Sequence, residues 1–226
     1  MTKLLAVCKC LVSLALHWTP NLSATTEFDM RLFGMFLGIA VALAAPVNAL
    51  SIPSNGKLTF DVIRKGKDIG DHSYSFSGSS GTFTVTVATD VEVKVPLIRT
   101  TVYSFKHASV ETWKGGKLQQ LSSNTNDDGT PHELKTKAKG VLPASLWNDD
   151  IVRSGKLMNT VDGKIMNVRV ADLGPETVTT KRGAVPAHHY QMSGDLARDL
   201  WYDASGNLAQ VSFKADDGST VTYIRK

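Results

Sequence analysis

Cysteine is nearly absent from this sequence. The 226 residues contain two cysteines, Cys8 and Cys10, and both lie close to the start of the chain. The remainder of the chain must therefore fold without a disulfide bond. Catalysis by a cysteine thiolate is excluded there for the same reason, because the nucleophile is missing.

The sequence also lacks a long apolar run and a strong charge of either sign. Its charge-free apolar stretch, residues 32–45, is shorter than the ~20 residues that a membrane-spanning helix needs. The formal net charge is +4, and the basic residues are scattered. The one concentration, Lys135, Lys137 and Lys139, alternates with other residues as on the exposed face of a strand. We therefore expect no nucleic-acid partner.

The start of the chain has the pattern of a secretory signal. Met30 and Arg31 precede the apolar run, and the small residues Val47 and Ala49 occupy the −3 and −1 places of a cleavage site. This predicts a leader over residues 1–49 and an exported, periplasmic chain that begins at Leu50, is cysteine-free and keeps no membrane span. The alternative is an uncleaved anchor.

The first 29 residues do not fit a single leader. They contain a second apolar run, from Leu4 to Leu16, and the acidic Glu27 and Asp29 follow it. Two interpretations remain open: a bipartite leader, or a mis-assigned start with translation beginning at Met30. Residues 50–226 are long enough to bury one hydrophobic core without stabilisation by disulfides or metal ions, and we expect a single β domain there.

A stretch from Thr82 to Val95 organises this domain. Apolar residues occupy one parity, interrupted only by Thr89, and polar residues fill most of the other. Such alternation predicts a strand with one face in a core and one face in water. At ~3.3 Å per residue the strand would span about 45 Å, a length typical of a coiled sheet or barrel wall.

Several glycine-bearing turns separate further β-rich segments. Gly115-Gly116 and Asp162-Gly163 are hairpin signals, and residues 196–202 favour a strand over a helix. Between residues 142 and 152 the apolar spacing becomes helical, with Pro143 at the first position. The fold class is therefore mostly β: one curved antiparallel meander sheet, a half-barrel or open barrel, with one short helix.

No catalytic or metal-binding pattern stands out. The chain has no G-x-S-x-G motif. His188 and His189 are adjacent, and neighbouring side chains of a strand point to opposite faces, so they cannot chelate one ion together. Residues 124–129 resemble half of a calcium loop, but Lys135 stands where the bidentate Glu is needed, so a plain turn is favoured. We expect no catalytic residue, metal or cofactor.

Short motifs in a fixed order resemble a known family. They are Glu111-x-Trp113, Ser145-Leu146-Trp147-Asn148, Asn159-Thr160-x-x-Gly163-Lys164, Leu173-Gly174-x-Glu176, Asp199-Leu200-Trp201-Tyr202-Asp203 and Asp217-Gly218-Ser219. This order resembles an uncharacterised family of exported bacterial β-proteins, a domain of unknown function. The resemblance implies one curved sheet, similar to the half-barrel of periplasmic lipoprotein carriers, wrapped around a helix, and it suggests an apolar ligand.

The ligand hypothesis favours four residues as a binding surface: Trp113, Leu146, Trp147 and Trp201. The alternative is that these tryptophans are core filler. The first functional hypothesis is an exported non-enzymatic protein that holds an apolar or lipid-like ligand on the concave face. Two alternatives stay open: an envelope protein-interaction module with a filled core, and an unrecognised envelope hydrolase.

Overall fold

The computed structural model describes residues 50–79, 81–95 and 100–226. The predicted leader, residues 1–49, lies outside the described residues. The described residues form thirteen strands: β1 (Lys57–Arg64), β2 (Lys67–Ser79), β3 (Thr82–Lys94), β4 (Thr101–Lys114), β5 (Lys117–Asp127), β6 (Thr130–Lys137), β7 (Leu142–Pro143), β8 (Lys156–Met158), β9 (Ile165–Thr180), β10 (Gly183–Gly194), β11 (Arg198–Asp203), β12 (Leu208–Lys214) and β13 (Thr220–Arg225).

The strands form one open sheet in the order β6-β5-β4-β3-β2-β1-β13-β12-β11-β10-β9-β8-β7. Its two halves are meanders, and the antiparallel pairing of β1 with β13 joins the first strand to the last. Every pairing is antiparallel except that of β7 with β8. The predicted antiparallel meander is confirmed, and its organising strand is β3.

One face of the sheet carries the main core. Along β3, the apolar residues of one parity are buried while their neighbours are half-buried or exposed. The core combines Leu121 of β5 with Met192 of β10, although seven strands lie between β5 and β10 in the sheet order. Strands lie ≈ 4.8 Å apart, so these residues belong to one core only because the sheet curves around this face. We call it the concave face.

The predicted short helix is wrong. Pro143 lies in β7, and the only helical turn among the described residues is a 3-10 helix over Asp149–Arg153. Leu146 has a φ of +69°, which an α-helix does not accept. The backbone carbonyls of Ser145 and Leu146 accept hydrogen bonds from the hydroxyls of Tyr74 (2.5 Å) and Tyr202 (2.7 Å). Side chains of the sheet therefore satisfy groups that a helix would have paired internally.

This irregular segment, residues 141–158, packs on the concave face. Trp147 is fully buried and contacts the rings of Phe76, Phe83 and Trp113, at centroid distances of 5.2, 6.1 and 5.2 Å. The following loop extends to the β5 side of the sheet, where the Ser123 hydroxyl donates to the Thr160 carbonyl at 2.5 Å. The segment thus fills part of the space that the curved sheet encloses.

The opposite, convex face has a small core of its own. The β9–β10 register shifts at His189/Tyr190, and beyond it Val178 and Ala187 pack against Trp201 and Ala209. At the hairpin tip, Lys181 forms an ion pair with Asp61 of β1 at 2.8 Å. The part of the β9–β10 hairpin between this register shift and its tip therefore packs on the convex face of β11 to β13.

Candidate functional site

A row of polar side chains crosses the concave face. His72, Thr89, His107 and Thr125 stand opposite one another on β2, β3, β4 and β5. All four are buried. The imidazole Nδ1 of His72 is hydrogen-bonded to the Thr89 hydroxyl, and that of His107 to the Thr125 hydroxyl, each at 2.7 Å. We call these four residues the polar row.

The polar row keeps one nitrogen without a partner. Nε2 of His72 is buried and makes no hydrogen bond within the described part of the chain. Burial lowers the pKa of His72 to about 3, and it also lowers the pKa of His107. Both imidazoles are therefore neutral at pH 7, and the polar row presents hydrogen-bonding groups without charge.

The opposite wall of this space carries an arginine. Arg198 begins β11, and its guanidinium carbon lies 3.9 Å from the ring centroid of Phe213 on β12. Its Nη1 donates to the carbonyl of Ala197 at 2.7 Å. None of the ion pairs among the described residues includes Arg198. Burial lowers its pKa, but a guanidinium stays protonated in proteins, so a cation remains without an anionic partner.

Two cavities meet at Arg198 and at Thr89 of the polar row. The larger, outer cavity has a volume of about 630 Å³, and the smaller, inner cavity about 270 Å³. Both are lined by Thr89, Phe105, Arg198, Phe213 and Tyr223. The ring centroid of Tyr223 lies 5.0 Å from that of His72, so the two walls approach each other at this level.

The outer cavity has apolar walls and a polar rim. Buried Val62, Val91 and Val221 line its interior, and exposed Lys214 and Asp217 lie at its edge. Asp217 is paired there with Arg64 at 2.8 Å and with Lys65 at 3.0 Å. The Asp127 carboxylate, also at this cavity, accepts a hydrogen bond from the Tyr103 hydroxyl at 3.0 Å. Arg64, Asp127 and Asp217 therefore each have a polar partner within the structure.

Below the inner cavity, a buried carboxyl organises two of the predicted ligand residues. The indole N–H groups of Trp113 and Trp147 both donate to Oε2 of Glu111, each at 2.9 Å. Burial raises the pKa of Glu111, and these hydrogen bonds oppose part of the rise. The three side chains are fully buried.

The structure separates the four residues predicted as a ligand surface. Trp113, Leu146 and Trp147 belong to the main core, and of these Leu146 lines the inner cavity. Trp201 lies on the convex face, where it stacks on His189 at a centroid distance of 4.2 Å and donates its indole N–H to Glu176 at 2.8 Å. Ligand contact by these four residues stays a prediction, and Trp201 cannot share a cavity with the other three.

Sequence reasoning missed the polar row and Arg198. One signal was available, because Thr89 is the only interruption in the apolar parity of β3. A polar residue at such a buried position indicates that the side chains beside it on the neighbouring strands are polar too. Arg198 gave no comparable signal, since its surroundings come from strands distant in the sequence.

The described residues contain neither a metal-binding cluster nor a membrane-spanning helix. No group of three or more His, Cys, Asp or Glu side chains is arranged to hold a metal ion in the described ranges. Within the same ranges, no helix is long and apolar enough to cross a membrane.

Comparison with known proteins identifies a family. No curated protein matches the chain. A crystal structure of a β-barrel-like protein of domain of unknown function DUF1849 from Brucella abortus is similar, with 9% identity, 75% of this chain and 94% of that chain covered, and a TM-score of 0.44. Residues 60–226 match the domain of unknown function DUF6134. Because this match covers most of the chain, the protein belongs to the DUF6134 family.

Proposed function

We propose that this is an exported, non-enzymatic protein that holds an apolar, lipid-like ligand on the concave face of its sheet. The observation that carries the proposal is the outer cavity of about 630 Å³, whose interior is lined by valine and aromatic side chains. Ligand sites are typically concave, mostly apolar clefts of ≈ 300–1,000 Å³ with a few placed polar groups. Arg198 and Thr89 of the polar row line this cavity and supply such groups, and His72 and His107 line the adjoining inner cavity.

The polar groups at this site favour binding over catalysis. Both imidazoles of the polar row are kept neutral by burial, and within the described residues neither is hydrogen-bonded to a serine hydroxyl or a carboxylate that would make a nucleophile–base pair. Their hydrogen-bond partners are the hydroxyls of Thr89 and Thr125, which are buried on neighbouring strands of the sheet. The site offers shape and hydrogen bonds to a ligand.

A neutral fluorescent probe tests this function directly. N-phenyl-1-naphthylamine, which is apolar and uncharged, is titrated into protein purified after expression of the full-length sequence. Val91→Trp places an indole in the outer cavity, whereas Thr86→Trp adds the same group on the exposed face of β3. We expect saturable binding to the wild type and to Thr86→Trp, and at least tenfold weaker binding to Val91→Trp.

The opposite pattern overturns the proposal. No saturable binding to the wild type, or equal binding to a folded Val91→Trp variant, would place the probe elsewhere or nowhere. Folding of each variant is checked by circular dichroism and urea unfolding. A protein with no probe site would be better explained as a filled-core interaction module.

Export has its own test. Leu50 packs against the main core, so cleavage before this residue would leave its contribution to the fold intact. Protein recovered from the periplasm of an expressing Gram-negative host is sequenced from its amino terminus. We expect Leu50 as the first residue; protein that stays in the cytoplasm with residues 30–49 attached contradicts export.

A further inference from the structure

We propose that Arg198 anchors the negatively charged head group of a single-chain amphiphile, a long-chain carboxylate, whose apolar chain lies in the outer cavity. This inference rests on the proposed function and deepens it by naming the ligand class. Its basis is a juxtaposition of three features: a guanidinium without an anionic partner, a polar row without charge, and an apolar cavity that begins where they meet.

The first step concerns the unused hydrogen-bonding capacity of Arg198. A guanidinium has five N–H donors in a planar fork that matches a carboxylate in bidentate geometry. Within the described residues, one donation is made, to the Ala197 carbonyl, and the Phe213 ring covers one face of the group. The edge of the fork therefore remains available to a ligand.

The second step concerns the free energy of this cation. Arg198 is half-buried, and partial removal of a charge from water is unfavourable unless an opposite charge or several hydrogen bonds compensate. Here the facing polar row is neutral, so it cannot repel an anion and cannot neutralise the guanidinium either. A carboxylate head group would supply the missing charge, and the bond would be a strong charge-assisted one.

The third step concerns a second, independent polar atom at the same level. Nε2 of His72 is buried, has no hydrogen-bond partner among the described residues, and His72 lines the inner cavity with Arg198. An unpaired buried nitrogen of this kind is costly, and a ligand oxygen can satisfy it. His72 and Arg198 therefore both have hydrogen-bonding capacity that a ligand oxygen atom in the cavity could satisfy.

The fourth step separates Arg198 from the other cations of the outer cavity. Arg64 is occupied by Asp217 at 2.8 Å, and the Lys214 ammonium is exposed at the rim and donates to the Thr220 hydroxyl at 2.7 Å. The head group is therefore expected at the inner end of the outer cavity, with its chain directed toward the rim.

The experiment compares an acid with its neutral ester. Cis-parinaric acid and its methyl ester carry the same fluorescent chain, so the charge of the head group is the main difference. Each is titrated into the wild type, Arg198→Gln, Arg198→Lys and the control Lys214→Gln, all purified after expression of the full-length sequence. We expect the acid to bind the wild type at least tenfold more tightly than the ester.

The variants locate this preference. Arg198→Gln should weaken binding of the acid at least tenfold, to the level of the ester, while the ester's own affinity changes less than twofold. Arg198→Lys should retain part of the preference, because the charge is kept and the bidentate geometry is lost. Lys214→Gln should bind both ligands as the wild type does.

Two results overturn the inference, and they are distinguishable from failure of the proposed function. Equal affinity of the wild type for acid and ester refutes the anionic head group without requiring any variant to fold. Loss of the preference in Lys214→Gln, with retention in Arg198→Gln, places the anchor at the rim. In both cases the ester and N-phenyl-1-naphthylamine still bind, whereas failure of the proposed function would abolish their binding too.

Discussion

The indole of Trp147 donates to Oε2 of Glu111 at 2.9 Å, across 36 positions of sequence. Trp147 lies in the irregular segment that fills the concave space, and Glu111 lies on β4. This hydrogen bond therefore fastens the segment to the sheet at a fully buried point. The position of the segment in turn defines the lower boundary of the inner cavity, which Leu146 lines.

The first prediction concerns Glu111. Glu111→Leu removes the acceptor of two buried indole N–H groups and should lower the free energy of unfolding by ~2–5 kcal/mol. Glu111→Gln keeps an acceptor oxygen of similar shape and should cost less than half as much. Urea unfolding monitored by tryptophan fluorescence measures both. If the leucine variant is as stable as the glutamine variant, these hydrogen bonds do not hold the segment.

The second prediction concerns Gly70 on β2. Its φ is +146°, and a Cβ at this residue would lie 1.9 Å from the Asp90 carbonyl oxygen. Gly70→Ala therefore combines backbone strain with a collision against β3, and we expect a loss of about 2–4 kcal/mol. Gly116→Ala is the control, because its φ of +73° is also positive but no atom lies within 4 Å. The control should lose about 1 kcal/mol. Equal losses in urea unfolding would contradict the close approach of β2 to β3.

The third prediction is a pH dependence from His72. Burial lowers its pKa from 6.5 to about 3, so the unfolded chain takes up this proton at higher pH than the fold does. The contribution to stability is complete above pH 6.5 and declines as the pH falls toward 3, by up to about 1.4 kcal/mol per pH unit.

The measurement for His72 is the free energy of unfolding between pH 7 and pH 5, for the wild type and His72→Asn. The wild type should lose stability more steeply on acidification. Glu111 acts in the opposite sense, because burial raises its pKa and protonation favours the fold. That contribution is common to both proteins and cancels in the comparison. Equal slopes would show that His72 is hydrated.

The fourth prediction separates the two faces of the sheet. Trp201 lies on the convex face, away from both cavities. Trp201→Phe should lower stability, because the hydrogen bond to Glu176 at 2.8 Å is lost. Its affinity for N-phenyl-1-naphthylamine should stay within twofold of the wild type. A tenfold loss of probe affinity in a folded variant would return Trp201 to the ligand surface.

Local alternation was sufficient to predict β3 and the meander, because a half-buried strand repeats every two residues. It was less informative for β4, where the inward parity includes His107, Ser109 and Glu111. From sequence alone, polar residues at buried positions suggest that the strand has changed which face it buries. The structure shows no such change, because β4 pairs with β3 in regular register from Tyr103 to Lys114. The hydrogen-bond partners that allow His107 and Glu111 to be buried include residues distant in the sequence, Thr125 of β5 and Trp147.

The segment with helical spacing shows a second limit. Leu142, Leu146 and Ile151 have the spacing of one face of a helix. In the structure, however, tyrosine hydroxyls of β2 and β11 donate hydrogen bonds to backbone carbonyls of the segment, and Leu146 adopts a left-handed conformation. These are tertiary interactions that override local propensity. Arg198 shows the same limit at the site, because its environment depends on how strands of both halves of the sheet approach each other.

Native mass spectrometry tests the central claim, that the concave face holds an apolar ligand, most directly. Wild-type protein, Val91→Trp and Thr86→Trp, each expressed from the full-length sequence, are incubated with excess cis-parinaric acid and sprayed under native and denaturing conditions. The account predicts one bound ligand on the wild type and on Thr86→Trp, lost on denaturation, and none on Val91→Trp. A clean apoprotein mass for the wild type, or the same bound ligand on all three proteins, would contradict it.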